Sequence, residues 1–412
     1  MPLLLVGLGA CTAGAPASGS AGPVSSAEPP PADGPTEEST SGRTAEPVEP
    51  ARWTVFVYAN GDSGRSRDLA TDLARMSKAR LTADVKVIVL ADWNAALTGA
   101  DGRPFPSGSE WIALSGAGAQ AIVGREAEQD LDAPDVVRRS VARAFRDHPA
   151  EHHGLIVWSR SGAGDVDDGR RPGAEPISVP ALKTAIRDGL ADAGLTGERA
   201  LDFLGFDGFA PARVEVAYAL RDLAQVQVAN CARASGSSWA YEDALSFLAE
   251  HEDATGPSFA AFEAAAAEKV GPRSHAAIVT AGLDDVATAT SELIRTVVEN
   301  PVALPAVVSA VQTTVLDATS TGRPPSYRRF VAELASKPSV SAMTAAANDV
   351  LTRLSQTLVG PDDGSELAIT LPLASSESGT NADDAAKEWQ AATGWDALMT
   401  SLVGYAPSSN EP

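Results

Sequence analysis

The stretch LDFLGFDGFAPARVEVAYAL (201–220) changes character twice. Residues 201–206 make a short, mainly apolar run of strand length that stops at Asp207 and Gly208. A polar loop with glycine and proline follows, and over 212–223 apolar residues recur at helical spacing. The stretch HHGLIVWSRSGAGD (152–165) behaves alike: GLIVW (154–158) reads as a strand, and a glycine-containing polar loop comes next. Chains place reactive and binding groups at such strand ends.

The same grammar extends outward. WTVFVYAN (53–60), VKVIVLADWN (85–94) and QVQVAN (225–230) read as further strands, and helical spacing marks 68–81, 133–145, 179–194 and 212–223. WIAL (111–114) and AIVG (121–124) read as a hairpin. Strands alternating with helices predict an α/β fold, a mostly parallel sheet flanked by helices. Ligands then sit beyond the carboxyl ends of the strands, where Asp92, Ser159–Gly164 and Asp207–Pro211 fall. Residues 256–360 read as mainly helical with a strand-like break at SHAAIVTAGL (274–283). LAITLPLA (367–374) reads as a late strand, and 383–403 as a closing helix or helix pair.

Composition narrows the function classes. The chain has 412 residues, a formal net charge of −22 and no basic run, which argues against nucleic acid, since phosphate needs clustered Lys and Arg. No apolar run has the length of a membrane-spanning helix. Two cysteines, Cys11 and Cys231, exclude a disulfide framework. MPLLLVGLGAC (1–11) is an apolar run ending in small residues and a cysteine. It resembles the lipobox of bacterial lipoproteins, which implies acylation at Cys11, although no Lys or Arg precedes the run. Residues 12–50 are rich in Pro, Ala, Ser, Gly, Thr and Glu, cannot bury enough surface to offset ordering entropy, and read as a disordered tether. A folded domain over 51–405 follows, with the core sheet at about 53–250 and a helical extension and closing segment at about 256–405.

Several blocks together resemble the clostripain-type cysteine peptidases, which share the caspase-like fold. WTVFVYAN is similar to the family's opening strand, VIVLADWN to its strand ending in an acid, and VWSRSGAG to its strand ending in Trp-Asp-His-Gly-Gly. GFDGFAPARVEVAYALRD (205–222), the most specific block, is similar to the family's Gly-Phe-Asp-Ala-Cys segment and the helix after it. SSWAYEDAL (237–245) and TGWDAL (393–398) resemble its Gly-Trp-x-Tyr and Thr-Gly-Trp-Asp. The resemblance spans about 52–403 and implies a histidine base and a cysteine nucleophile on neighbouring strand ends. Here those positions are Arg160 and Phe209. Arginine accepts no proton at a workable pH, and phenylalanine has no nucleophilic atom. The family's pocket aspartate matches Asp207, which implies binding of a basic side chain; pairing of Asp207 with Arg160 to seal the cleft stays open beside it.

The leading expectation is therefore a catalytically degenerate homologue that binds peptides or proteins with basic side chains without cutting them. It is expected outside the cytoplasm, held to the bacterial membrane through a lipid anchor only, with no nucleic-acid partner. An active hydrolase using Cys231, or Ser159 or Ser161 with another base, is the alternative, and a structural lipoprotein with a closed cleft is the third reading. His152 and His153 stand at the far end of their strand, and His251 and His275 lie in segments the sequence does not place. SGAGAQA (115–121) imitates a dinucleotide fingerprint without the following helix and reads as a turn. GDVDDGRRPG (164–173) lacks the spacing and terminal glutamate of a calcium loop. No cofactor and no metal are expected.

Overall fold

A computed structural model describes residues 50–404 apart from 63–64, 116–118, 160–176, 209–211, 231–238, 268, 270–274, 322, 338–339, 360–366 and 372–379. Cys11, Arg160, Phe209 and Cys231 lie outside the described residues, as do Ser161, the segment 1–49 and the loop 164–173.

Nine strands form one sheet: β1 (Ala51–Asn60), β2 (Val85–Trp93), β3 (Gly108–Ser115), β4 (Ala119–Glu126), β5 (Ala150–Ser159), β6 (Leu201–Asp207), β7 (Ala224–Asn230), β8 (His275–Val279) and β9 (Leu358–Val359). Their order is β4-β3-β2-β1-β5-β6-β7-β8-β9. The five central strands, β2, β1, β5, β6 and β7, run parallel. The β3–β4 hairpin and the β8–β9 pair add antiparallel strands at the two edges. Strand order reverses between β1 and β5, so a topological switch point lies there.

Twelve helices are described: α1 (Ser66–Met76), α2 (Pro134–Asp147), α3 (Val179–Asp192), α4 (Val214–Ala219), α5 (Tyr241–Glu250), α6 (Gly256–Ala267), α7 (Leu283–Glu299), α8 (Leu304–Thr321), α9 (Tyr327–Ala335), α10 (Ser341–Thr357), α11 (Thr380–Thr393) and α12 (Trp395–Gly404). Alternation along β1 sorts its side chains between the two faces of the sheet. Phe56 and Tyr58 join the core beneath α2, α3, α4 and α7, while Trp53, Val55, Val57 and Ala59 join the core beneath α1, α5 and α6. Both faces are covered, so the central strands read as near-continuous apolar runs. Residues 301–321 are long and apolar enough to cross a membrane by composition. In the fold they pack Val307, Ala310 and Val311 into the core of the domain.

The far end of the parallel strands is tied by Asp202. Its carboxylate accepts the His153 backbone N–H at 2.8 Å and a Gln225 side-chain bond at 3.3 Å, and meets His152 Nδ1 at 3.0 Å. One acid thus joins β5, β6 and β7.

The helix expected over 68–81 is Ser66–Met76, and two further sequence expectations change. The helix over 212–223 is only Val214–Ala219, because Leu220 leaves the helical region and the chain must turn to start β7 at Ala224. Of the strand expected over 367–374, the described residues 367–371 do not join the sheet. Within the described part of it, Ala368 makes isolated bridges to Arg213 and Ser326, and Leu367, Ile369 and Leu371 are buried. An apolar run reports burial, and burial here comes from lying between two loops.

Candidate functional site

The carboxyl ends of the five parallel strands line up a row of polar residues. Asp92 pairs in register with Asn60, Asn60 with Ser159, and Trp158 with Asp207 one position earlier, while Asn230 closes β7. All of these polar residues are buried. Asn60 donates to Asp132 at 3.1 Å, and Ser109 donates to Asp92 at 2.9 Å. Tyr58, below them, donates to the Leu131 carbonyl at 2.7 Å. Burial, then Asp132, Asp92 and Asp130, raise its phenol well above the ordinary range, so it is a hydrogen-bond donor and not a base.

Asp207, at 0 % exposure, accepts a hydrogen bond from the Tyr241 hydroxyl at 2.8 Å. Trp239 donates its indole N–H to the Phe206 carbonyl at 3.2 Å, and its ring stacks on Tyr241 at 5.7 Å. Gly205 makes room for that ring: a Cβ there would stand 2.6 Å from it. The Gly-Phe-Asp of β6 and the Trp-Ala-Tyr of the α5 entry therefore form one unit.

Behind this unit lies a buried pair that the sequence did not reveal. Glu263 on α6 faces His275 Nδ1 at 3.6 Å, both side chains have no exposed surface, and Trp239 meets the imidazole edge-on. Glu263 accepts the Ala240 N–H at 3.3 Å; its other oxygen and both imidazole nitrogens have no hydrogen-bond partner among the described residues. Burial lowers the imidazole to about 3. Burial, reinforced by the negative charges of Asp207 and Asp243, raises the Glu263 carboxyl well above its usual range, against the Ala240 bond that lowers it. Burial thus favours the uncharged form of both partners, and at neutral pH the imidazole is neutral. His275 pairs in register with Asn230, so β8 brings a histidine to the residue that precedes Cys231 in sequence. An imidazole this reluctant to accept a proton is a poor general base. His251 instead caps α5 and meets the Phe247 carbonyl at 3.0 Å. His152 and His153 sit about 20 Å from the Ser159 end of β5 by strand rise.

The most specific sequence block performs a structural task. Glu215 on α4 accepts the Thr370 N–H at 2.8 Å, Arg213 reaches the Thr370 hydroxyl at 3.3 Å, and Tyr218 packs edge-on to Trp389 at 5.5 Å. The Thr-Gly-Trp-Asp block lies on the other side of the same segment. Gly394 takes φ +73° between α11 and α12, and Trp395 donates to the Thr370 carbonyl at 3.3 Å. Both blocks fasten the C-terminal segment to the sheet.

Asp62, Asp92 and Glu128 bring carboxylate oxygens within 4.8 Å of one another at this rim. Each also has other interactions, and acidic groups commonly cluster at a surface without a metal. They form an acidic rim.

The model of the clostripain family matches residues 57–320. Among solved structures, a secreted C11 cysteine protease from Bacteroides thetaiotaomicron, in complex with an irreversible peptide inhibitor, is 17 % identical with a TM-score of 0.58, over 84 % of this chain and 100 % of that chain. The secreted C11 protease of the same organism called iotapain is 14 % identical with a TM-score of 0.54, over 84 % and 100 %. An inactive zymogen C11 protease from Parabacteroides distasonis is 13 % identical with a TM-score of 0.53, over 84 % and 99 %. At these identities the likeness is one of fold. No curated protein sequence matches the chain significantly.

Proposed function

Since the chain belongs to the clostripain family, we propose that it is a catalytically degenerate member that binds peptides or proteins carrying basic side chains without cleaving them. One observation supports the reading: the strands and blocks that frame the corner are in place, and the positions matched to the family's histidine and cysteine hold Arg160 and Phe209. β5 and β6 lie side by side, and Asp207, Tyr241, Trp239 and Gly205 interlock at the end of β6. The residue after Ser159 is Arg160, and the second after Asp207 is Phe209. Neither side chain supplies a base or a nucleophile, and losing either member of such a pair commonly removes most of the rate. Asp207 is the anion for the ligand's basic group, and Tyr241 holds its carboxylate in place. The protein acts outside the cytoplasm, anchored through acylated Cys11 and tethered by 12–50; two of the structural relatives are secreted proteases.

The complete burial of Asp207 favours a second reading, a structural lipoprotein whose corner is closed. One experiment separates these two readings and the Cys231 or serine hydrolase. Purified full-length protein is incubated with arginyl and lysyl fluorogenic peptides, with and without a thiol alkylator, and peptide binding is measured in parallel. Silence together with binding that weakens in Asp207→Asn, with its thermal melt unchanged, supports the binder. Silence without binding supports the closed corner. Alkylator-sensitive turnover lost in Cys231→Ala identifies a thiol hydrolase, and turnover that survives both points to serine.

A further inference from the structure

A second surface of the domain gathers cations. The outer face of α1 and the 97–105 loop enclose a groove of about 570 Å³, lined by Arg67, Arg75, Lys78, Ala70, Ala74 and Phe105 among others. Its lining combines small and apolar residues with three cations. Phe105 is fixed by stacking on Trp93 at 5.1 Å with an interplanar angle of 3°. The loop is pinned by its own backbone bonds, Gly99 N to Arg103 O at 2.8 Å and Phe105 N to Leu97 O at 3.0 Å. Arg67 is pinned as well, donating to the Thr98 carbonyl at 2.8 Å. The groove is thus built before any ligand arrives.

Arg67 departs from the pattern of most described arginines in this chain. Most described arginines of the domain sit against a carboxylate, as Arg80 does with Glu250, Arg138 with Asp192 and Arg295 with Glu292. Arg67 and Lys78 have no carboxylate within ion-pair distance among the described residues, although the whole chain carries a net −22. Arg75 meets Asp72 at 3.2 Å, and that buried carboxylate also holds the Trp158 indole at 3.0 Å. Two uncompensated cations and one partly compensated cation therefore face one apolar trough on an otherwise acidic protein. A ligand that fits carries negative charge at its ends and apolar groups between them.

We propose that this groove is an exosite for an extended acidic peptide. Arg67 lies in the first turn of α1 and Lys78 just past its end, about 16 Å apart along the axis at helical rise. An extended chain advances about 3.3 Å per residue, so the two carboxylates are about five residues apart, with small apolar side chains between them over Ala70, Ala74 and Phe105. α1 begins just after β1 ends, so the Arg67 end of the groove opens beside the rim of Asp92 and Asn60. The acidic peptide is read independently of Asp207.

The test uses the full-length protein and fluorescence anisotropy of labelled acetyl-EAVAVE, its Gln counterpart acetyl-QAVAVQ, and inorganic phosphate as competitor. The acidic peptide is expected to bind at least about tenfold more tightly than the Gln peptide, and the double variant Arg67→Gln/Lys78→Glu to lose at least about tenfold, as expected for a charge-steered contact. Affinity is expected to fall with salt. Asp207→Asn is expected to leave this binding unchanged, which separates failure here from failure of the basic-peptide reading. Equal binding of both peptides, no effect of the double variant, or a loss in Asp207→Asn would overturn the proposal. Displacement by phosphate as effective as by unlabelled peptide, at equal ionic strength, would reduce the groove to a simple anion patch and overturn it too.

Discussion

Tyr241 donates its hydroxyl hydrogen to Asp207 across 2.8 Å, at the end of a parallel strand and with both side chains buried. The tyrosine comes from the entry of α5, thirty-four residues further along the chain, so this bond fastens two of the family's sequence blocks together. Hydrogen bonds to charged groups contribute about 1.5–3 kcal/mol, and removing one partner leaves the other to bear its desolvation. Tyr241→Phe is expected to destabilise the fold by about that amount, seen as a lower urea midpoint with an unchanged slope. It is also expected to weaken binding of arginyl peptides, because Asp207 loses its fixed orientation.

Gly205 is the next point of close packing in that unit. A methyl group there would approach the Trp239 ring to 2.6 Å, and the indole is itself held by the Phe206 carbonyl. Gly205→Ala is expected to cost about 1–3 kcal/mol by overpacking and to alter the fluorescence of the buried indole. A thermal melt and an emission spectrum check both.

The Glu263–His275 pair predicts opposite slopes of stability with pH. His275 titrates near 6.5 when unfolded and about 3 when folded, so between those values the unfolded chain holds the extra proton. Its contribution is lost as pH falls through that window, at up to about 1.4 kcal/mol per unit. Glu263 has its folded value raised, so its contribution is fully present below 4.5 and fades as pH rises. His275→Phe is expected to flatten the acid limb of a urea-midpoint profile from pH 4 to 8, and Glu263→Gln to hold stability better than the parent at the alkaline end. A variant profile parallel to that of the parent would remove the pair from the account.

Glu215 fastens the C-terminal segment through the Thr370 N–H at 2.8 Å. Glu215→Ala leaves that donor without its acceptor and opens space beside α4, a loss of about 1–3 kcal/mol. Limited proteolysis is expected to cut the variant faster between 360 and 380 than the parent, with the rest of the domain still resistant.

The sequence disclosed the parallel core because strands buried on both faces show as near-continuous apolar runs, as GLIVW and LDFLGF do, while QVQVAN shows the alternation of a strand. It disclosed the frame of the corner because Gly205, Asp207, Trp239 and Tyr241 sit in blocks whose spacing is recognisable. It did not disclose what joins those blocks. Glu263 is a single acid in the alanine-rich helix GPSFAAFEAAAA, and His275 belongs to a strand added antiparallel after it, so no local pattern links them. The Asp202 clamp at the opposite end of the sheet was equally hidden, since an acid within an apolar run announces a partner but not which one. The stretch 367–371 misled because burial between Arg213 and Ser326 leaves the same trace as burial in a sheet. The α1 groove depends on a loop folding back over a helix face, a contact without sequence periodicity.

The central claim is that a complete peptidase frame here lacks a reactive group. It is tested most directly by treating the full-length protein with an irreversible peptide electrophile bearing a basic side chain at its reactive end, followed by intact-mass and peptide-mapping spectrometry. The account predicts no adduct in the parent and an adduct on the new cysteine in Arg160→His/Phe209→Cys. A single stoichiometric adduct on a residue of the parent protein, Cys231 or either of the serines at 159 and 161, would contradict it.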